Sequence, residues 1–251
     1  MKKYLLLGTS LIVASSAYAV TCEQLPECSS LGFTQTATDC AGKNMLKCPF
    51  ETDKVFCGGD TGQGCDAVGD ILYSDLNCYD ESSLPSGKVT PIAVVFDTEN
   101  RLAIGLNNAP KVMQWASVEE DISGLTNYFS STTALEETTT GKENTATIVA
   151  LGGDYASSDY APGYCYNLTE GGQPIGSWFL PNFKELKAIK DNQTTIDTAL
   201  TNAGGTALAN WSYWSSTEHE SFDAWEPSMA NSLMHYSDKT NYTSVRCGLA
   251  F

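Results

Sequence analysis

The chain has 251 residues, with 14 basic and 30 acidic side chains and a formal net charge of −16. This surplus of negative charge repels phosphate, so nucleic acid and anionic membrane surfaces are excluded as expected partners. A hydrophobic fraction of 42% with only 18% charged residues excludes general disorder and predicts a folded core.

The first 19 residues predict a secretory signal peptide. A positive start at Lys2-Lys3 precedes the apolar run 5–14, and Ala17-Tyr18-Ala19 gives the small-x-small pattern of a cleavage site. The apolar run is too short for a transmembrane anchor, and two residues separate the cleavage site from Cys22, which disfavours lipid attachment. We therefore expect export through the Sec pathway, no membrane insertion after cleavage, and a secreted or cell-surface protein.

All nine cysteines lie after the predicted cleavage site, and seven of them fall between residues 22 and 78. An exported chain of this kind is expected to form disulfides, so residues 20–66 are predicted to be a small disulfide-rich module. Zinc binding is disfavoured there because the chain has no Cys-x-x-Cys pair and both histidines are distant. Nine is an odd number, which leaves one thiol unpaired or intermolecular. The cysteines are Cys22, Cys28, Cys40, Cys48, Cys57, Cys65, Cys78, Cys165 and Cys247.

Residues 67–251 are predicted to form one globular domain of the α+β class. The β-branched run 91–96 is typical of a buried strand, and the short turn 97–100 leads into a second run at 101–106, which predicts a hairpin. The Ser/Thr-rich segment 130–140 is predicted to be an exposed loop. The last eight residues alternate between two faces, which predicts a half-buried final strand.

Two short helices are predicted in the middle of this domain. Asn182 and Glu185 have the spacing of a capping box, and the apolar positions 183, 186 and 189 would form one buried edge of the helix that follows. A second helix is predicted over 195–203, where Gly204-Gly205 would end it.

Three sequence blocks follow one another in the second domain, with Tyr164-Cys165 upstream of them. The blocks are Ser177-Trp178-Phe179-Leu180-Pro181 with Glu185-Leu186, Tyr213-Trp214-Ser215-Ser216-Thr217-Glu218, and Val245-Arg246-Cys247. Together they resemble a bacterial domain family of unknown function found at the C-terminus of a collagen-like adhesin, over about residues 68–251. The resemblance implies a C-type-lectin-like fold, the architecture that formylglycine-generating enzymes also use.

The same resemblance implies a disulfide between Cys165 and Cys247. With those two paired, Cys78 is the expected unpaired thiol, because it lies beyond the cysteine-rich module. The chain departs from the family pattern at two places: Phe179 stands where a basic residue is usual, and Gly248-Leu249 stands where Val-Arg is usual.

Catalysis is not expected. The activity of a formylglycine-generating enzyme needs a reactive cysteine pair, and the fold is expected to use Cys165 and Cys247 structurally. Neither histidine, His219 nor His235, lies near a Gly-x-Ser-x-Gly motif. The acidic pair Glu136-Glu137 is more typical of a solvated face than of a catalytic dyad.

Calcium-dependent sugar binding is a further alternative. Glu226-Pro227-Ser228 starts like the metal-binding triplet of true C-type lectins but lacks the third oxygen ligand. The prediction is therefore a protein that needs no metal and no cofactor.

The remaining interpretation is a metal-free recognition surface for a glycan or an extracellular protein, as in an adhesin. Tyrosine and tryptophan bury much area at low entropic cost, and asparagine makes adaptable hydrogen bonds. Trp178, Trp211 and Trp214 are instead interpreted as core. The alternative function is a structural or minor subunit of a bacterial surface appendage, which would bind an appendage partner. The predicted ligand-binding residues are Trp225, Glu226, Asn231, His235, Tyr236, Asp238, Asn241 and Tyr242.

Overall fold

The computed structural model divides into two compact units, residues 1–63 with 80–87 and residues 64–79 with 88–251. In the first unit, strand β1 (Met45–Lys47) pairs antiparallel with β2 (Val55–Cys57). The predicted signal peptide and most of the predicted module 20–66 lie outside the described residues. The structure describes residues 45–47, 55–57, 64–79, 89–231 and 233–251.

The second unit contains both helices and antiparallel strands, so it belongs to the α+β class. Within its described residues no helix has the length and apolar character needed to cross a bilayer. Its strands are β3 (Ile71–Tyr73), β4 (Pro91–Asp97), β5 (Leu102–Gly105), β6 (Trp178–Phe179), β7 (Asp223–Trp225), β8 (Tyr236–Asp238) and β9 (Gly248–Ala250). Its α-helices are α1 (Ser131–Ala134), α2 (Gly141–Val149), α3 (Ala161–Asn167), α4 (Phe183–Asp191) and α5 (Gln193–Asn202).

Five strands form the central sheet in the order β3-β4-β5-β9-β6, and every neighbouring pair is antiparallel. The predicted hairpin is confirmed as β4 and β5. Alternate side chains of β4 enter two separate hydrophobic clusters, Ala93 and Val95 in one and Val94 and Phe96 in the other. The sheet is therefore covered on both faces, with α4 and α5 against one cluster and α3 against the other.

The final strand is buried on both faces, so the prediction of a half-buried strand is wrong. The reason is that hydrophobic clusters cover both faces of the central sheet, so that side chains on either side of β9 are buried. Even Arg246 is only 1% exposed. Its guanidinium donates to Asn108 Oδ1 at 2.6 Å and to the carbonyl oxygen of Thr206 at 2.8 Å, which compensates for the loss of water.

The two departures from the family pattern lie opposite each other. Phe179 of β6 pairs with Gly248 of β9, and a Cβ atom on Gly248 would lie 2.8 Å from the Phe179 ring. The ring of Phe179 therefore occupies the space that the lack of a side chain at Gly248 leaves open. A valine at position 248 would not fit against this phenylalanine.

Both predicted helices are present. Helix α4 begins with the predicted capping box of Asn182 and Glu185, and α5 begins two residues before the predicted start at Thr195. The segment 130–140 is not simply an exposed loop, because it contains α1 and because Glu137 is buried. Helices α2 and α3 were not predicted.

Glu185 joins the N-terminal ends of two helices. Its Oε1 accepts from the backbone N–H of Gly141 at 2.9 Å, and its Oε2 accepts from that of Asn182 at 2.8 Å. Only glycine fits at position 141, because a Cβ there would collide with the Glu185 carboxylate. Burial raises the pKa of Glu185 to about 7, although the two backbone donors favour its ionised form.

Glu137 is the second buried carboxylate, which corrects its expected place on a solvated face. It accepts from Thr217 Oγ1 at 2.6 Å and from Asn144 Nδ2 at 2.7 Å. Thr217 Oγ1 also accepts from the backbone N–H of Phe183 at 2.8 Å. Thr217 of the second sequence block therefore holds the start of α4 in place, which is a structural role.

Two disulfides close loops of the second unit. The expected bond between Cys165 and Cys247 is present and links α3 to the segment just before β9. Cys78 is bonded to Cys65, so the expectation that Cys78 is unpaired is wrong. The physical reason is the local backbone. Cys78 forms an antiparallel β-bridge with Leu72 of β3, which places it near the start of the second unit.

Trp178 and Trp214 are fully buried, as predicted. Trp211 is 67% exposed, so its assignment to the core is wrong. Its neighbour Tyr213 fills the core position instead, and Tyr213 Oη accepts from the backbone N–H of Ala209 at 2.9 Å.

Candidate functional site

The hairpin of β7 and β8 is preceded by a tight turn over residues 218–224. Glu218 and Ala224 form an antiparallel bridge across the base of this turn. The carbonyl oxygen of Asp223 accepts from the N–H groups of His219 at 3.0 Å and Glu220 at 3.2 Å. These backbone bonds fix the loop, so the side chains at 219, 220 and 223 project from one ordered turn.

A buried ion pair anchors the turn from below. Lys239 donates to the Glu218 carboxylate, and both side chains are fully buried. Lys239 Nζ also donates to the carbonyl oxygens of Glu120 at 2.6 Å and Ser221 at 2.9 Å. Burial lowers the pKa of Lys239, but its three acceptors satisfy the ammonium group. This pair is structural and leaves no donor for a ligand.

Aromatic rings fix the imidazole of His219. Tyr236 stacks on it with centroids 3.7 Å apart and planes 6° apart, and Trp225 meets it edge to face at 5.2 Å. Phe129 approaches the same ring at 6.1 Å. Tyr236 and Phe129 are largely exposed, whereas His219 is only 7% exposed. The imidazole is therefore held between a buried floor and an exposed aromatic rim.

The His219 Nδ1 atom is buried and has no hydrogen-bond partner among the described residues. The nearest acidic atom is Glu220 Oε1 at 3.7 Å, which is beyond hydrogen-bonding distance. One donor atom each from His219, Glu220 and Asp223 lies within 4.8 Å of the other two. The turn therefore brings a nitrogen and two carboxylates to one point.

More negative charge surrounds this point. Asp223 of β7 is directly opposite Asp238 of β8, and Asp238 shares a hydrogen bond with Glu119. Burial, and then the charge of Glu220, raise the pKa of Asp223, while His219 lowers it. The carboxyl pKa of Glu119 is raised by its hydrogen bond to Asp238. Such a concentration of acids favours a cation.

Trp225 does not face a ligand. It is 3% exposed, lies against Phe183 with centroids 4.8 Å apart, and donates from Nε1 to the carbonyl oxygen of Tyr128 at 2.9 Å. Its assignment to a recognition surface is therefore wrong, because it forms the floor beneath His219.

The other predicted ligand-binding residues do not form one continuous set of unpaired groups. Glu226 is half-buried and accepts from Thr243 Oγ1 at 2.6 Å. Asn231 Oδ1 accepts from the N–H of Leu233, and Asn241 Nδ2 donates to Ser237 Oγ, both at 2.9 Å. The exposed or partly exposed positions are Glu226, Asn231, His235, Tyr236, Asp238, Asn241 and Tyr242.

A second surface feature is lined by none of the predicted ligand-binding residues. It is a groove of about 280 Å³ whose walls include Lys111, Val112, Trp211 and Ser244. Trp211 and Val112 are 67% and 48% exposed. Sequence analysis missed this groove because the block around Trp214 made Trp211 look like core.

Sequence analysis also missed the grouping of His219, Glu220 and Asp223. His219 was considered only as a catalytic base and as a zinc ligand for the distant cysteines, and a spacing of one and four residues across a turn matches no common metal motif. The usable signal would have been that three ligand-type residues fall within five positions.

No protein-family model matches the chain, and no curated protein sequence matches it. Among solved structures it is similar to a fimbrial protein from Bacteroides ovatus, with 17% sequence identity and a TM-score of 0.55. The similarity covers 74% of this chain and 49% of the fimbrial protein, so the chain spans about half of that protein's length. At this identity the similarity is one of fold.

Proposed function

We propose that this protein is a structural or minor subunit of a bacterial surface appendage. The observation that carries the proposal is the fold similarity to a fimbrial protein over 74% of the chain. The predicted signal peptide supports it, because an appendage subunit must be exported. The two disulfides of the second unit are also in keeping with an oxidising compartment outside the cytoplasm.

Within the same proposal, the second unit has C-type-lectin-like architecture and belongs with the adhesin-associated family that its sequence blocks resemble. The packing supports this, because the Thr217 hydroxyl joins the second block to the helix that follows the first. The protein is also proposed to be non-enzymatic. The four cysteines whose side chains are described are all in disulfides, so none of them offers a thiol nucleophile.

Appendages sheared from the producing cells would test the subunit proposal. We expect the protein to sediment with the filaments, to be labelled along or at the tip of them by immunogold, and to remain in high-mass species on mild denaturing gels. A strain that lacks the protein should have fewer or altered filaments. Protein found wholly in the soluble culture fraction, with unlabelled filaments of normal number, would reject the proposal.

A second candidate function is adhesin-like binding of a glycan or an extracellular protein. The observation that favours it is the exposed indole of Trp211 beside the groove, with Tyr242 66% exposed two residues before Ser244 of the groove wall. Exposed aromatic rings of this kind are common in recognition surfaces.

Glycan and matrix-protein arrays would test this candidate, with and without chelator. Binding should survive chelator and be lost in Trp211→Ala, whereas Phe222→Ala should bind as the wild type, because Phe222 is a comparably exposed ring on the turn before β7. Equal binding by Trp211→Ala and the wild type would exclude the groove as the recognition surface.

A further inference from the structure

The turn over residues 219–223 has the donor set of a transition-metal site. A tetrahedral ion with ligands about 2.0–2.1 Å away holds neighbouring donor atoms about 3.3 Å apart. His219 Nδ1 and Glu220 Oε1 are 3.7 Å apart, and the third donor, from Asp223, lies within 4.8 Å of both residues' donor atoms. Side-chain rotations that shorten these separations, by up to about 1.5 Å for Asp223, would bring the three atoms to one ion.

His219 supplies the independent evidence for a ligand. Its side chain is more than nine-tenths buried, and its Nδ1 lacks a hydrogen-bond partner within the described part of the chain. Buried polar atoms are almost always bonded, so an exception calls for a partner. The stack on Tyr236 and the contact with Trp225 hold the ring still, with Nδ1 on the side of Glu220.

The surrounding charge also calls for a cation. Asp223 and Glu220 repel each other, and Asp238 and Glu119 add to the negative field of the rim. A divalent ion would remove this repulsion and would give His219 Nδ1 a partner. Glu220 and Asp223 are only partly buried, so an ion has access from solvent, and a water molecule could complete its coordination.

We propose that His219, Glu220 and Asp223 bind one divalent transition-metal ion, with Zn²⁺ the best match to one imidazole and two carboxylates. Calcium and magnesium fit less well because they prefer an all-oxygen ligand set. This proposal departs from the expectation of a metal-free protein. It does not depend on the appendage function, and either can fail without the other.

Calorimetric titration of the purified full chain with Zn²⁺ tests the site. We expect one ion per chain, with affinity reduced at least about 100-fold in His219→Gln and about 10-fold or more in Glu220→Gln. His235→Gln is the matched control, because His235 is the second of the chain's two histidines, is exposed and lies outside the cluster. Its affinity should stay within about twofold of the wild type.

Glu220→Gln keeps the aromatic stack intact, so it tests the site even if His219→Gln does not fold. Nitrogen-15 spectra give a readout that is specific to the ligand atom, because only two histidines contribute. Addition of Zn²⁺ should shift Nδ1 of His219 and leave His235 unchanged. Three results would overturn the proposal: no binding at 1 mM Zn²⁺, unchanged affinity in folded Glu220→Gln, or a His219 resonance that Zn²⁺ does not move.

Discussion

Acidic side chains occupy two different settings in the second unit. In the interior, both carboxylate oxygens of Glu185 accept backbone N–H groups, and those of Glu137 accept from a hydroxyl and an amide. On the rim, Glu220 and Asp223 face each other and a histidine nitrogen that has no hydrogen-bond partner in the described structure. Carboxylates whose oxygens all accept hydrogen bonds therefore hold helices together. Carboxylates that lack such donors form a candidate binding site.

The largest expected effect tests whether the rim has a structural floor. Trp225→Ala should lower the free energy of unfolding by about 3–5 kcal/mol, because it removes a buried indole beneath His219. Trp211→Ala, at an exposed indole, should cost no more than about 0.5 kcal/mol. Denaturant unfolding of both variants measures the difference, and equal losses would contradict the assignment of floor and surface.

The interior network is tested by Thr217→Val, which keeps the side-chain shape and removes the hydroxyl. The change leaves Glu137 Oε2 and the N–H of Phe183 without their partner, so unfolding should become easier by about 2–5 kcal/mol. Thr240→Val removes a hydroxyl that bonds to Asp238 at the half-exposed rim and should cost about 1 kcal/mol or less. A similar loss in both variants would remove the distinction between interior and rim.

Stability should fall with rising pH because of Glu185. Its pKa is about 7 in the folded protein against 4.5 ordinarily, so the folded state binds the extra proton between these values. The resulting stabilisation is complete below pH 4.5, decreases as pH rises, and is lost above about pH 7, a change of about 3 kcal/mol. Glu185→Gln should be less stable than the wild type at pH 5 and should show a flatter pH dependence. An equal slope in both proteins would show that Glu185 is ionised throughout.

The smallest effect is expected on the rim. In the presence of chelator, Asp223→Asn should change the free energy of unfolding by no more than about 0.5 kcal/mol, and in the stabilising direction, because Asp238 lies directly opposite. Thermal unfolding in EDTA measures this change. A loss above about 1 kcal/mol would show that the carboxylate has a structural partner and would place it with the interior group.

The helices and strands that the sequence predicted are encoded by short patterns of neighbouring residues. The capping box at Asn182 and the β-branched run of β4 are encoded within a few neighbouring residues. Helix α3 is not, because no side chain caps its start and Gly163 lowers its local helix propensity. Gly163 is required by tertiary packing, since a Cβ there would collide with the backbone of Ser157, and such a contact cannot be predicted from local sequence.

The candidate site was harder to predict for a related reason. Aromatic content drew attention to the segment around Trp225 and Tyr236, but composition does not tell which side of a chain faces the core. Trp211 was consequently expected in the core but is exposed, whereas Trp225 was expected at the surface but is buried. The grouping of His219 with Asp223 depends on the backbone bonds of one turn, which become visible only in three dimensions.

The bond between Cys165 and Cys247 has a mechanical consequence. It closes a loop with a sequence separation of 82 residues, which corresponds to about 280 Å of extended chain. If tension were applied at points outside this loop, the chain within the loop could not be extended while the disulfide is intact. The protein under tension would then extend by less than its full contour length, and reduction of the bond would release the remaining 82-residue loop.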